Sequence, residues 1–467
     1  MTHLRALVVG AALAVSVIPA KPAATSAITA FIGATLIDGT GAAPVPNSIV
    51  LVEDGRIIAA APAASISVPA SAERVDLSGR WLLPGLIDAH IHFFQSGGAF
   101  ARPDILDLRH IRPYADEIAA VQANLRATLG RYLASGITGV VDVGGPLWNF
   151  KVRALAQGEA MAPRVAVAGP LLTPYLPPAL ISADPPMVLI SSPAEARVEV
   201  RRQAAFAPDL IKIWFVRPTS DLEPVLAWVR AAIDEAHLAG IRVGVHATDL
   251  AAATAVVEAG ADLLVHSVQD RPVPDQLLAR MKENGVVYTP TFVVSEGYRR
   301  VLGLHAEPDE FEMRLGDPLV LESFRALEAM APEVHRGQLR RLAPESVRPV
   351  RAGNLSLAQN AGVIIAAGSD AGNIGTLHGP GLHRELELMV LAGGLTPMQA
   401  IIAGTRGSAT FMGRESDLGT VEPGKLADFL VLDSNPLADI RNTRAISRVV
   451  KAGVVYNPSE ILAMVNR

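Results

Sequence analysis

The sequence predicts an α/β protein, a (β/α)8 TIM barrel flanked by a small β-sandwich built from both chain ends. Three observations predict it. Between about Pro84 and Glu415, apolar strand-like runs alternate with helical stretches, the pattern of parallel βα units. Several of those runs end in polar, ligand-type residues, on the side where barrels of this kind place their functional groups. Short β-like runs broken by turn residues stand at both ends of the chain.

At 467 residues the chain is long enough for one large barrel with a smaller companion. Half of its residues are apolar, 19% are charged, and the net charge is −5, which leaves no broad basic face for nucleic acid and points to a small-molecule partner. Residues 1–27, MTHLRALVVGAALAVSVIPAKPAATSA, have a basic start at Arg5, an apolar stretch and small residues suited to cleavage, the layout of a secretory signal peptide. The apolar run falls short of the ~20 residues that span a bilayer. Cleavage would leave a periplasmic or secreted protein with no membrane attachment. There is no cysteine, so disulfides, thiolate nucleophiles, Cys-ligated zinc and a lipid-modified cysteine are excluded together. A homo-oligomer stays open.

From 28 to 84, ITAFIGATLID, SIVLVEDGRIIAA and RVDLSGRWLLPG read as strands and hairpins. The texture returns from 416 to 467 in LGTVEPGKLADFLVLD and ISRVVKAGVVYN, so the two ends are expected to pair. Eight strand candidates serve the barrel, set at 85–415: LLPGLIDAHIH, GITGVVDVG, RVAVAGP, PDLIKIWF, IRVGVHA, ADLLVHS, GVVYTPTFV and GVIIAAGSD. One unit can be checked by its punctuation. After the strand ending at His246, Asp249 can cap a helix through LAAATAVVEAG and Gly260 can end it before ADLLVHS. The stretch from about Ser295 to Ala361 looks helical and amphipathic, either an elaborated connection at the rim of the site or a plain surface helix pair.

His90 and His92, at i and i+2 in GLIDAHIHF, project from one face of a strand and aim two imidazoles at one point. An HxH pair alone is more often two histidines bonded to backbone. His246, His266 and Asp370 each close another apolar run, and four histidines with one carboxylate around a barrel mouth suit zinc or a similar divalent ion. Asp88 shares the face of His90, one step deeper, and has no assigned role beyond support. Lys212, inside PDLIKIWF, sits where an ammonium is costly. Either its stem leans toward solvent or a carboxylate, or burial depresses its pKa and the neutral amine captures carbon dioxide as a metal-bridging carbamate. Beside five ligand-type residues the carbamate is favoured.

These pieces, with TPTF, AAGSDAG and the tail GTVEPGKLADFLVLDSNP, resemble the metal-dependent amidohydrolase superfamily over nearly the whole chain. The group is the one related to imidazolonepropionase, with Xaa-Pro dipeptidases and carboxypeptidases acting on basic residues. The resemblance implies two divalent ions: His90, His92 and Asp370 on the buried one, His246 and His266 on the exposed one, and carboxylated Lys212 between them with a hydroxide. Asp370 would be both a ligand and the general acid/base. The expected activity is hydrolysis of an amide bond in a dipeptide or N-acyl amino acid, with a lactone, a cyclic imide or a non-catalytic metal-binding relative as alternatives. Deaminases of this kind usually lack the lysine. After Lys212 the relatives often continue with a glycine-rich loop, whereas this chain has WFVRPTS, so Arg217 could hold a substrate carboxylate. Tyr288 could stabilise an oxyanion, and His378 could touch substrate.

Overall fold

The computed structural model describes residues 27–216, 222–303, 307–329 and 347–466. All of the expected signal segment except Ala27 lies outside them. All eight candidate runs carry strands: Leu86–Ile91, Ile137–Asp142, Arg164–Val167, Leu210–Trp214, Arg242–His246, Leu263–Val265, Val287–Thr289 and Ile364–Ile365. Every pairing among them is parallel, so the α/β class is as expected.

They do not form one continuous eight-stranded ring. The first three make a three-stranded sheet and the other five belong to a seven-stranded sheet. Two short strands, Leu171–Thr173 and Met187–Leu189, complete the latter, and the sequence reading did not expect them. Pro170 explains the break. It lacks an N–H, so the third strand cannot continue its ladder, and the chain re-enters the neighbouring sheet with Leu172 opposite Ile213. Main-chain bonds connect the two sheets at both gaps. Asp209 N–H donates to Val167 O at 3.0 Å on one side; on the other Ala89 N–H donates to Ala367 O at 2.9 Å, Asp370 N–H to His90 O at 2.7 Å and His92 N–H to Ala371 O at 2.9 Å.

The chain ends form two further sheets of four and five strands. Trp81–Pro84 pairs antiparallel with Phe429–Leu432, so the two termini meet in one sheet. Phe31, Val50 and Ile57 share a core with Leu82, Val431 and Val450, and Phe31 meets Phe429 edge to face at 5.6 Å. Asp54 and Gly55, both at positive φ, make the tight turn between Ser48–Glu53 and Arg56–Pro62.

Asp249 caps Leu250–Glu258 by accepting the Ala252 N–H at 3.0 Å, as its position suggests. Among the described residues, the 295–361 stretch holds all or part of four helices, Phe292–Leu302, Glu310–Leu315, Pro318–Glu328 and Val347–Ala361. Tyr298, Val301 and Leu302 pack on Val320 and Phe324, which fixes the first of these helices over the site. Among the described residues no helix is long and apolar enough to cross a membrane.

Gly368 sets how closely the last strand approaches the first. A Cβ there would lie 2.6 Å from His90 Cβ and 2.8 Å from Thr289 Oγ1. Gly368→Ala is therefore expected to cost about 1–3 kcal/mol, read as a lower denaturant midpoint. Gly353→Ala, where a Cβ meets nothing within 4 Å on the helix Val347–Ala361, should hold or gain stability. Equal loss in both would mean that the contact with His90 does not matter.

Candidate metal centre

Of six side chains expected at the centre, five sit at or just beyond strand ends and Lys212 sits mid-strand in Leu210–Trp214, and the structure brings them together. His90, His266 and Asp370 each offer a ligand atom, all within 4.8 Å of one another. His92 Nε2 lies 3.4 Å from Asp370 Oδ1, the same distance as His90 Nε2. The His246 ring is 4.5 Å from that of His266. Lys212 is 2% exposed, one pairing step from Gly244 on the strand that ends in His246.

Backbone geometry aims two of these groups. His266 and Asp370 occupy the left-handed region at φ 71 and 57, as does Thr291 at φ 47. Such conformations are held only when the surroundings fix them. Here they are fixed. Asp88 accepts the Ser369 N–H at 2.9 Å and its hydroxyl at 2.5 Å, which pins the turn before Asp370. Thr291 Oγ1 lies 2.6 Å from His266 Nδ1. Asp88 is thus a brace for the strand end.

Electrostatics leave the imidazoles neutral. Burial pushes His92 and His246 down to about 3 and holds His90 and His266 well below their usual range. Neutral imidazole is the ligating form. His92 Nδ1–H donates to Gly144 O at 2.7 Å, which turns the Nε2 lone pair toward Asp370. Burial lowers the Lys212 amine and raises the Asp370 carboxyl. Among the described residues both nitrogens of His90 and Nζ of Lys212 are buried without a hydrogen-bond partner. Buried polar atoms left in that state are costly. Orphaned, neutral nitrogen donors beside a carboxylate fit a divalent metal ion.

The centre opens on a cavity of about 230 Å³. Besides the six groups, its wall includes Arg102, Trp214, Ser295, Tyr298, Arg351 and Asn373, which the sequence reading did not single out. Asn373 Nδ2–H donates to Asp370 Oδ1 at 2.7 Å. Its own Oδ1 accepts from Arg102 at 2.5 Å and from the Tyr298 hydroxyl at 2.8 Å, so the amide can face Asp370 only with its nitrogen. A signal for Asn373 was present in AAGSDAGN, three residues past Asp370. Tyr298 and Arg351 come from the rim helices, where nothing in the sequence separates a cavity residue from a surface one.

The three expected substrate contacts fare differently. Tyr288 is buried with its hydroxyl donating to Ser267 Oγ at 2.8 Å, outside the cavity wall. His378 is satisfied on both nitrogens, by Tyr132 and by Gln95 O, each at 2.8 Å, and stacks on Phe93. Its ring lines a neighbouring cavity with Phe93 and Phe100. Arg217 lies outside the described residues.

The profile of the amidohydrolase family matches residues 81–456. The chain belongs to that family. Membership supports a hydrolase acting on carbon–nitrogen amide bonds. The chain is 26% identical to the ochratoxinase of Aspergillus niger, over 92% of this chain and 86% of the relative. Among solved structures it resembles a putative prolidase from Bifidobacterium longum, with a TM-score of 0.68 and 25% identity, covering 95% of this chain and all of that one. A Xaa-Pro dipeptidase structure with methionine bound in its active site superposes with a TM-score of 0.70 at 24% identity, covering 92% and 100% of the two chains.

Proposed function

We propose that this amidohydrolase cleaves the amide bond of a small substrate, a dipeptide or N-acyl amino acid, at a centre of two divalent ions, with zinc as the metal. The convergence of orphaned, neutral donors on one cavity carries this reading. The names of its relatives, an ochratoxinase and a prolidase, support amides as the substrate class. His90, His92 and Asp370 would hold one ion, and His246 and His266 the other. Lys212 would lie between them as a carbamate. Burial lowers its amine to about 7, so near neutral pH a large share carries the free nitrogen lone pair that can bond to carbon dioxide while a proton leaves to solvent.

Bound there, two divalent ions supply an acidified water as nucleophile and polarise the amide carbonyl. Asp370 would take a proton from the attacking water and return it to the leaving nitrogen. Asn373 holds the carboxylate in place for both transfers. On this reading the two parallel sheets are arcs of one (β/α)8 barrel over 85–415, and the chain-end sheets of 28–84 and 416–467 close into a β-sandwich. Residues 1–27 would leave as a signal peptide, and the mature enzyme would work in the periplasm or outside the cell.

Purified protein should carry close to two divalent ions per chain by elemental analysis, and one or none would sink the two-ion centre. Metal-loaded enzyme tested on dipeptides, N-acyl amino acids and lactones should release amine from at least one amide class. Turnover of lactones alone would overturn the amide reading.

A further inference from the structure

Two arginines line the cavity, Arg351 buried and Arg102 half-buried, and they differ in what balances their charge. Arg102 is neutralised by Asp104, its Nε and Nη2 donating to the two carboxylate oxygens at 2.8 and 2.6 Å. Arg351 is 5% exposed and among the described residues donates only to neutral oxygens: Ser295 Oγ at 2.7 Å, Thr291 O at 3.0 Å and Pro290 O at 3.4 Å. Its guanidinium lies over the Phe292 ring at 5.2 Å. No carboxylate among the described residues forms an ion pair with it. Glu385 acts on it through space, but that carboxylate is engaged with the Phe292 and Val293 N–H groups at 2.9 and 2.7 Å.

A buried cation with no carboxylate bonded to it is expensive, more so beside His266. Bracing the Thr291 turn does not explain it, because three neutral acceptors need a donor and not a charge. An anion arriving in the cavity would supply the missing partner, and a guanidinium suits a carboxylate. Leu171, Met187, Trp214 and Val294 give the same cavity an apolar side. We propose that Arg351 recognises a free carboxylate on the amide substrate while the substrate's apolar body packs against Trp214 and its neighbours. This rests on the hydrolase reading of the same cavity.

The test uses full-length, metal-loaded protein and two probes whose sulfonamide replaces the scissile amide, N-methylsulfonyl-L-leucine and N-methylsulfonyl-L-leucinamide, with binding followed by calorimetry and metal content measured alongside. Wild type should bind the acid at least about 30-fold more tightly than the amide, the scale of a desolvated charge pair. Arg351→Met should erase that preference while leaving affinity for the amide and the metal content unchanged. Arg351→Lys, which keeps the charge without the fork, should retain part of it. An unchanged preference in Arg351→Met would place the carboxylate on the metal ions and overturn the proposal. Equal weakening of both probes in both variants would reduce Arg351 to a brace and overturn it too. If wild type shows the preference yet releases no amine from any amide, the hydrolysis reading fails and the recognition site stands.

Discussion

Lys212→Met is expected to lower activity by at least about 100-fold and to drop metal content below two ions per chain, while leaving the metal-free protein as stable as wild type or more so. The two halves of that expectation have different causes. Lys212 is buried at 2% exposure with Nζ bonded to nothing among the described residues, so its amine is a burden on the metal-free fold. Methionine fills nearly the same volume without that burden, so denaturant stability should hold or rise. A lysine that merely leaned its stem along the wall would allow the variant to keep both activity and metal. Carbamate formation adds a second handle. Reconstituting the chelated wild type in carbon dioxide-depleted buffer should restore activity slowly, and added bicarbonate should accelerate it. Lys212→Met should not respond.

The sequence made the strand ends legible because chemistry and periodicity point the same way there. An apolar run that closes on His246, His266 or Asp370 announces both a buried strand and a group that burial alone would not favour. Asp249 and Gly260 were readable for a similar reason, since capping and termination are local. What escaped was set by tertiary contact. The two extra strands beside Leu210–Trp214 exist because Pro170 interrupts one ladder and a neighbouring edge accepts the chain. Tyr288 and His378 stand near functional positions in the sequence, yet Ser267, Tyr132 and Gln95 occupy their polar atoms. Conversely, Arg102, Tyr298 and Arg351 look like ordinary loop and helix residues until folding closes them over the cavity.

Asp370→Asn should lower kcat by about 10²–10⁴-fold, the usual worth of a positioned acid/base, with KM and metal content changed far less. The choice of asparagine matters. Position 370 sits at φ 57, a left-handed conformation that asparagine adopts more readily than alanine, so the backbone turn survives. The Ser369 contacts to Asp88 are untouched, and the new side-chain oxygen can still accept from Asn373 Nδ2. His90, His92, His246 and His266 remain to hold metal. What the substitution removes is the capacity to take a proton and give it back. A structural role alone would show as lost metal and a lower denaturant midpoint at near-normal turnover per bound ion. Asn373→Leu provides the companion measurement. It removes the donor that orients Asp370 Oδ1 while keeping the carboxylate, and it should lower kcat by an intermediate factor, since the group is present but free to turn. If Asn373→Leu matched wild type while Asp370→Asn lost its activity, the orientation set by Arg102, Tyr298 and Asn373 would be irrelevant to the proton transfer.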